Sequence, residues 1–237
     1  MNRMITTIVL MGLAACGGSG AGVGAGSGTP PPANLSSAPG ESALVNYLQG
    51  VHQYTLSATD SSGSNYTVQL SSQPNAGTTM FNGAAPAYST VDTLTLSKNG
   101  VLAATSISTG YYLLNPYVPL GTTFSTGTPY ALVTSSTPFP TSLNVGDTGP
   151  VDDLTYYQDS SMAIIDANET GTYSVEANNS TTLLMCLNFV VSNVTAQGMA
   201  DGLADNTETD CYSVDASGNT ALVSIALTVN GETLKFM

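Results

Sequence analysis

Oxygen-bearing side chains that could bind a metal ion are concentrated near the C-terminal end of the chain. Asp201, Asp205, Asn206, Glu208 and Asp210 fall within ten residues, and carboxylate and amide oxygens are the ligands that Ca²⁺ prefers. Their spacing fits neither an EF-hand loop nor a calcium-binding β-roll repeat. We therefore predict an acidic solvated loop with no metal, and calcium binding is the alternative.

A second candidate for chemistry is Asp147-Thr148-Gly149. It matches the three-residue core of the motif in which pepsin-like proteases place two carboxylates that share a proton and activate water. The chain holds no second Asp-Thr-Gly or Asp-Ser-Gly, and Gly146 and Pro150 flank this copy. These neighbours favour a turn, so a carboxylate-dependent hydrolase is only our third functional hypothesis.

His52 is the only imidazole in the chain. Serine and cysteine nucleophiles usually need such a base, oriented by an acid, yet the folded part has no Gly-x-Ser-x-Gly, Ser-x-x-Lys or His-Glu-x-x-His. We predict that His52 faces solvent or a strand edge, that no residue is catalytic, and that the protein is not an enzyme and needs no cofactor.

Two tyrosine pairs, Tyr111-Tyr112 and Tyr156-Tyr157, could stack on sugars. Adjacent residues of a strand point to opposite faces, so each pair should place one ring in the core and one outside. Because the chain has no Trp, ordinary packing is the favoured interpretation. A glycan or protein partner is left open.

The N-terminal residues are typical of a secretory leader. Arg3 is followed by an apolar run from Met4 to Leu13, which is too short to span a bilayer. The run ends in Leu13-Ala14-Ala15-Cys16, which resembles the lipobox of bacterial lipoproteins. An ordinary signal peptide cut after Ala15 is the alternative.

The lipobox resemblance implies a localisation in the cell envelope. It implies that residues 1–15 are removed, that diacylglycerol is attached to the Cys16 sulfur, and that a fatty acid such as palmitate acylates the new terminus. Two or three chains would hold the protein on a membrane. Because Gly17 rather than Asp follows the modified cysteine, the resemblance also implies sorting to the outer membrane of a Gram-negative envelope.

The segment that follows should be a tether. Residues 16–40 comprise the lipidated cysteine and a stretch dominated by Gly, Ala, Ser and Pro, a composition that cannot bury a core. Removal of Arg3 leaves Lys98 and Lys235 against sixteen carboxylates, a formal charge of −14. A domain without Arg and with this charge is repelled by phosphates, so we exclude nucleic-acid binding.

Cys186 and Cys211 remain once Cys16 is lipidated. An even pair in an oxidising compartment predicts a disulfide. A reactive thiol or half of a metal site is the alternative, although a third soft ligand is missing.

Alternating apolar and polar residues dominate residues 41–237 and predict a mainly β, antiparallel sandwich or barrel-like fold. Asn99-Gly100 and Asn230-Gly231 predict tight turns. The run from Leu183 to Val191 is apolar at successive positions, which favours a central strand covered on both faces. Leu44, Tyr47, Leu48 and Val51 predict one short helix that ends near Gly50.

Similar strand sequences recur at offsets of 118 to 121 residues, with Tyr54, Thr93, Gly100 and Gly110 matched by Tyr173, Cys211, Gly218 and Gly231. They predict two pseudo-repeated halves, 54–115 and 173–236, in which Val68 corresponds to Cys186. Chance similarity among Ser/Thr-rich strands is the alternative. Residues 116–150, rich in Pro and Gly, should form a connector that carries one strand.

The folded part resembles other envelope lipoproteins with Tyr-rich repeats and a late cysteine pair, a group without assigned function. The resemblance therefore adds no chemistry. We predict an outer-membrane-anchored envelope lipoprotein that acts as a non-enzymatic binding or structural module. A carrier or chaperone that holds an apolar ligand in a β-cavity is the alternative.

Overall fold

The computed structural model describes residues 34–83 and 86–237. The predictions for the signal peptide, for Cys16 and for most of the tether fall on residues 1–33 and lie outside the described residues.

Strands make up 61% of the described residues and helices 6%, which confirms the mainly β fold. Among the described residues, no helix is long and apolar enough to cross a membrane. The elements, in chain order, are β1 (Ser37–Pro39), α1 (Glu41–Leu48), β2 (His52–Thr59), β3 (Asn65–Pro74), β4 (Tyr88–Lys98), β5 (Val101–Leu113), β6 (Val118–Phe124), β7 (Tyr130–Ser136), β8 (Ser142–Asn144), β9 (Thr148–Tyr157), β10 (Ile165–Ala177), β11 (Thr182–Ser192), α2 (Ala196–Ala200), β12 (Asn206–Asp215), β13 (Thr220–Val229) and β14 (Glu232–Phe236).

Twelve antiparallel strands form one sheet that closes almost completely into a barrel. Each strand pairs with the next along the chain, except that β8 leaves the sheet and pairs with β1. The first and last strands of this sheet are β2 and β14. They meet where Ser57 and Met237 exchange two backbone hydrogen bonds of 3.0 Å. The barrel-like prediction is therefore confirmed, and the wall is a meander in which neighbours in sequence are neighbours in space.

The alternation in the sequence sets which side chains fill the barrel. In β3, Tyr66, Val68 and Leu70 are buried, whereas Gln69 and Gln73 on the other face are exposed. The predicted turns are confirmed, because both residues of Asn99-Gly100 and of Asn230-Gly231 have positive φ values, 50° and 78° in the first turn and 52° and 80° in the second.

Helix α1 fills one end of the barrel, and its position confirms the predicted helix. Ala43, Leu44, Tyr47 and Leu48 are buried in the main apolar cluster together with inward residues of ten strands of the barrel sheet. The carbonyl oxygen of Leu48 accepts hydrogen bonds of 3.2 and 3.3 Å from the hydroxyls of Thr90 and Tyr112. The end of the helix is thus bonded to side chains of two strands.

A second, smaller apolar cluster lies towards α2. It is built from inward residues of five strands and from Leu203, which follows the helix. Its buried members are Phe124, Ala131, Leu154, Tyr156, Ala167, Val191 and Leu203.

The prediction for β11 was wrong in one respect. Its inward residues, among them Leu183, Met185 and Leu187, are buried as expected, but Val190 on the outer face is 44% exposed and Leu184 is only half-buried. A strand of a barrel has one covered face. The apolar outer positions instead surround Cys186, which is buried by its disulfide partner.

The disulfide between Cys186 and Cys211 is confirmed, with an S–S distance of 2.07 Å. The two residues are directly opposite in the register of β11 and β12. Their neighbours Met185, Leu187, Asp210 and Tyr212 point inward and are buried, so the bridge lies on the outside of the wall.

Two predicted boundaries differ from the structure. Part of the predicted tether is ordered, because β1 pairs with β8 and the Leu35 amide donates to the Asn179 carbonyl at 2.8 Å. The predicted connector 116–150 holds β6, β7 and β8 and the start of β9. Its prolines lie at strand ends and loops, so they do not keep the segment out of the sheet.

The pseudo-repeat stays a prediction. Both halves are meanders, and the turns at Gly100 and Gly218 occupy equivalent places. However, Gly110 lies inside β5 whereas Gly231 is in a turn. Val68 points inward, whereas the disulfide of its predicted counterpart Cys186 lies outside. Any correspondence between the two halves therefore ends before the last strand of each half.

Replacing both cysteines of the disulfide with serine should lower the free energy of unfolding by about 3 kcal/mol. This is the value that the chain-entropy model gives for the loop that the disulfide closes. Urea unfolding of the wild type with and without a reducing agent provides the matched measurement. The wild type should lose stability on reduction and the double variant should not. Equal reduction sensitivity in both would contradict a structural role for the bridge.

Leu44→Ala should destabilise the protein by ~2–5 kcal/mol, because it opens a cavity beneath α1 in a filled core. Val51→Ala, at a position 67% exposed just after the helix, is the control and should change stability by less than about 0.5 kcal/mol. Chemical unfolding of both variants measures the difference. Similar small effects in both would mean that α1 does not pack inside the barrel.

Candidate functional site: buried carboxyls and a cleft in the barrel wall

The residues considered for calcium do not converge. The Asp201 carboxylate accepts from the Gln197 amide at 2.9 Å, and that of Asp205 accepts from the Val194 backbone at 3.2 Å. Glu208 and Asp210 are buried inside the barrel at 3% and 1% exposure. Within residues 34–83 and 86–237, no group of three or more His, Cys, Asp or Glu side chains is arranged to hold a metal ion.

Asp147 belongs to a turn between β8 and β9. Its carboxylate accepts hydrogen bonds from the backbone and the side chain of Asn144, at 2.8 and 3.1 Å. Its own amide donates to the Asn144 carbonyl at 2.9 Å. All of these bonds stabilise a turn, as the flanking Gly146 and Pro150 predicted.

His52 is held by aromatic neighbours at the start of β2. Its Nε2 lies 2.8 Å from the carbonyl oxygen of Tyr47 and must donate to it, because a carbonyl only accepts. Its ring stacks on the Tyr47 ring at 4.1 Å between centroids. His52 is half-buried rather than solvent-facing, and these contacts fasten the strand to α1.

The tyrosine pairs divide as predicted, with one ring inside and one outside. Tyr112 and Tyr156 are buried in the barrel at 2% and 1% exposure. On the outer face, Tyr111 is stacked beneath Phe81 at 4.3 Å between centroids, and Tyr157 packs in the same outer apolar cluster. Both outer rings are half-buried, and Phe81 covers one face of Tyr111.

The unexpected feature of the interior is a group of carboxyl side chains, which we call the acidic layer: Asp92, Glu169, Glu208 and Asp210. Their exposures are 2%, 2%, 3% and 1%, and they come from β4, β10 and β12. No local motif marks them, because the barrel brings distant strands together. A signal was present in the alternation, since Asp92 has the same parity as Leu94 and Leu96 on an otherwise regular strand.

Several polar side chains surround the acidic layer. The Tyr156 hydroxyl donates to Glu169 Oε2 at 2.6 Å. Asp92 lies between the buried residues Ser72 and Ser108 in the register of β3, β4 and β5. The basic residues lie elsewhere in the described chain, because Lys98 contacts the Tyr66 ring and Lys235 is exposed.

Burial makes the Asp210 carboxyl group hold its proton. It raises the pKa of Asp210 to about 7, and the charges of Asp92 and Glu169 act in the same direction against a hydrogen bond from Glu208. Burial, followed by the charge of Asp210, also raises the pKa of Tyr212, whose hydroxyl is fully buried. The interior therefore favours the neutral forms of Asp210 and Tyr212, which matches the scarcity of cations in the chain.

A second acidic pair lies under α2. Asp166 is fully buried, and burial raises its pKa to about 6, with a further contribution from the neighbouring Asp201 carboxylate. The helix approaches closely here, since a side chain at Gly198 would lie 2.5 Å from the Asp166 carbonyl oxygen. Asp201 thus contacts a buried acid of the wall, which the sequence did not predict.

The wall of the barrel is incomplete between β6 and β7. These strands pair at only three positions, from Gly121 with Leu132 to Thr123 with Tyr130. Beyond them the strands diverge, and a cleft of about 230 Å³ opens on the outer face. We call it the seam cleft, and it is lined by Phe81, Asn82, Val118, Pro119, Leu120, Leu132, Val133, Thr134, Ser135 and Ser136.

Phe81 forms a fixed wall of the seam cleft. It belongs to the loop between β3 and β4, is 5% exposed, and stacks on Tyr111 and on Tyr130, at 4.3 and 5.6 Å between centroids. Its ring lies over Gly121, where an added Cβ would be 2.8 Å from the ring and 2.2 Å from the Ala131 carbonyl oxygen. Glycine at position 121 therefore permits this packing.

A polar groove of about 310 Å³ crosses the outer face of β2, β3 and β4. Gln69 lies in register between Thr55 and Thr95, and Ser71 lies between Gln53 and Thr93. These side chains are uncharged hydrogen-bonding groups. Tyr54, which is half-buried, is the one aromatic residue in its lining, whereas sugar binding commonly relies on exposed aromatic faces.

These features together define a filled antiparallel barrel of twelve strands with buried acids inside and with a cleft and a polar groove outside. No protein-family model, no curated protein and no solved structure matches the chain. Its function therefore has to be inferred from its own residues.

The acidic layer should make stability fall as the pH rises. Between pH 4 and pH 7 the folded protein keeps the Asp210 proton while the unfolded chain loses it. Raising the pH therefore favours unfolding, by up to ~1.4 kcal/mol per pH unit for one such group. Urea unfolding at pH 4, 5, 6 and 7 measures this slope.

Asp210→Asn should flatten the slope and raise stability at pH 7. The control is Asp215→Asn, which removes an exposed carboxylate whose pKa is lowered by the hydrogen bond from the Asn219 side chain. That interaction is lost as the pH falls, so the control should leave the decline towards pH 7 in place. A wild type whose stability is constant or rises from pH 5 to pH 7 would contradict protonated interior acids.

Proposed function

We propose that this protein is a lipid-anchored envelope module that is not an enzyme, is sorted to the outer membrane and binds its partner on the outside of a filled barrel. The observation that carries the proposal is the filled interior: α1 and the inward side chains occupy the space in which a carrier would hold its ligand. A partner that meets this domain therefore meets its outer wall.

The N-terminal sequence supports the anchor. Leu13-Ala14-Ala15-Cys16 is similar to a lipobox, and a Gly/Ser/Pro-rich stretch separates it from the domain. The described chain enters the domain beside Asn179, the hydrogen-bond partner of Leu35. A lipid-modified Cys16 would thus present the domain on a tether, with the wall of the barrel open to the surroundings.

The acidic layer does not support the hydrolase hypothesis. Glutamate and aspartate pairs act on a substrate only when a cleft lets substrate and water reach them. Asp92, Glu169, Glu208 and Asp210 are each at most 3% exposed. Asp152, another buried carboxyl of the barrel, lines a cavity of about 20 Å³. A cavity of this volume holds one water at most.

The charge of the domain restricts its partners. A formal charge of −14 after removal of the leader disfavours phosphate-rich polymers and anionic lipid headgroups. It favours neutral or basic partners, which is consistent with a protein or glycan as the bound molecule and with no role for nucleic acid.

Growth with labelled palmitate tests the anchor. The wild-type chain should incorporate the label and fractionate with outer membranes, whereas Cys16→Ser should incorporate none and leave the membrane fraction, because it has no sulfur to acylate. Cys186→Ser is the matched control and should be labelled like the wild type. Unlabelled wild-type chain, or a Cys16→Ser variant retained in the membrane, would contradict the proposal.

A further inference from the structure

We propose that the seam cleft is a binding site for an extended peptide strand of a partner protein, one with apolar side chains and a basic residue at its end. The inference rests on the proposed function in that it names the partner class of the outer wall. It does not depend on the anchor itself.

The first reason is the open edge of β7. The strand pairs with β9 along one edge as far as Ser136, but its other edge pairs with β6 only up to Leu132. Thr134, Ser135 and Ser136 are exposed, and in the described chain the pairing of β6 with β7 does not extend to them. An extended peptide satisfies such an edge through its own main-chain amides and carbonyls.

The second reason is the apolar lining beside that edge. Val118 and Leu120 of β6 and Leu132 of β7 line the cleft, and Leu120 and Leu132 pack in one outer apolar cluster with Phe81, which closes one side. At about 230 Å³, the cleft is smaller than the ~300–1,000 Å³ of sites that enclose a small-molecule ligand. It suits one or two side chains of a peptide that lies along β7.

The third reason is that the cleft is already shaped. Phe81 is held by two aromatic contacts and by Gly121 beneath it. A wall that does not need to be ordered on binding removes part of the entropic cost of association. The bulge between Val133 and Ser135 in the pairing with β9 also bends the strand, which limits edge-to-edge pairing of whole sheets.

Charge selects the partner further. The lining of the cleft carries no charged side chain, but the exposed Asp153 of β9 lies directly opposite Ser135, across β7 from the open edge. The long side chain of a lysine or arginine at the end of the bound peptide would reach over Ser135 towards this carboxylate. An acidic peptide would meet both Asp153 and the negative field of the whole domain.

The test uses the full-length protein in detergent and a fluorescent peptide, Lys-Val-Thr-Val-Thr-Val-Lys, blocked at both ends. Fluorescence anisotropy should show saturable binding with a Kd below about 1 mM, the weak end of specific recognition. A version N-methylated at alternate residues keeps the side chains and removes main-chain donors. It should bind at least about tenfold more weakly, a difference of ~1.4 kcal/mol.

Peptide binding by three variants of the protein completes the test. Val118→Asp places a carboxylate on the apolar lining and should weaken peptide binding by at least about tenfold, whereas Val190→Asp, on the outer face of β11 and 44% exposed, should not. Asp153→Asn should weaken binding a few-fold and reduce its dependence on salt. Far-UV circular dichroism checks that each variant is folded.

Several outcomes would overturn the inference: no binding by the wild type, equal binding of the N-methylated peptide, equal binding by Val118→Asp, or tighter binding when glutamate replaces lysine in the peptide. Sedimentation that shows dimers broken by Val118→Asp would assign the cleft to a second copy and would also overturn it. Palmitate incorporation without peptide binding would overturn this inference and leave the proposed anchor standing. Peptide binding without palmitate incorporation would overturn the anchor and leave this inference standing.

Discussion

The width of a twelve-stranded barrel is the constraint on which the rest of this structure depends. Eight strands enclose a space that side chains alone can fill, and the diameter grows with strand number. Here the additional space is filled from one end by α1, whose Leu44 and Tyr47 are buried at 2% and 3% exposure, and towards the other end by the cluster around Leu203. Because the interior is filled, the proposed binding of a partner is assigned to the outer wall.

Much of the fold could be predicted because its rules are local. Alternation identified the strands, Asn99-Gly100 and Asn230-Gly231 identified two turns, and the spacing of Leu44, Tyr47 and Leu48 identified the helix. A meander places sequence neighbours side by side, so pairing follows once the strands are known. Only one strand was predicted within 116–150, and the others were missed because proline and glycine obscured the alternation.

The candidate sites could be predicted much less well, because each depends on contacts between distant segments. Asp92 and Asp210 are more than a hundred residues apart and become neighbours only when the barrel closes. The seam cleft arises from the divergence of two adjacent strands under Phe81, and no residue type marks a divergence. The disulfide was predictable because redox compartment and an even count suffice, although its position on the outer face was not.

Amide hydrogen exchange of the intact protein tests most directly whether the barrel is permanently filled. If α1 is part of the core, the amides of Leu48 and Gln49, which bond within the helix, should exchange only through global unfolding, as slowly as those of β11 and β12. Faster exchange of α1, by about a hundredfold or more while β11 stays protected, corresponds to local opening at a cost ~2.7 kcal/mol lower. That result would show that the helix leaves the barrel and that its interior is open to a ligand.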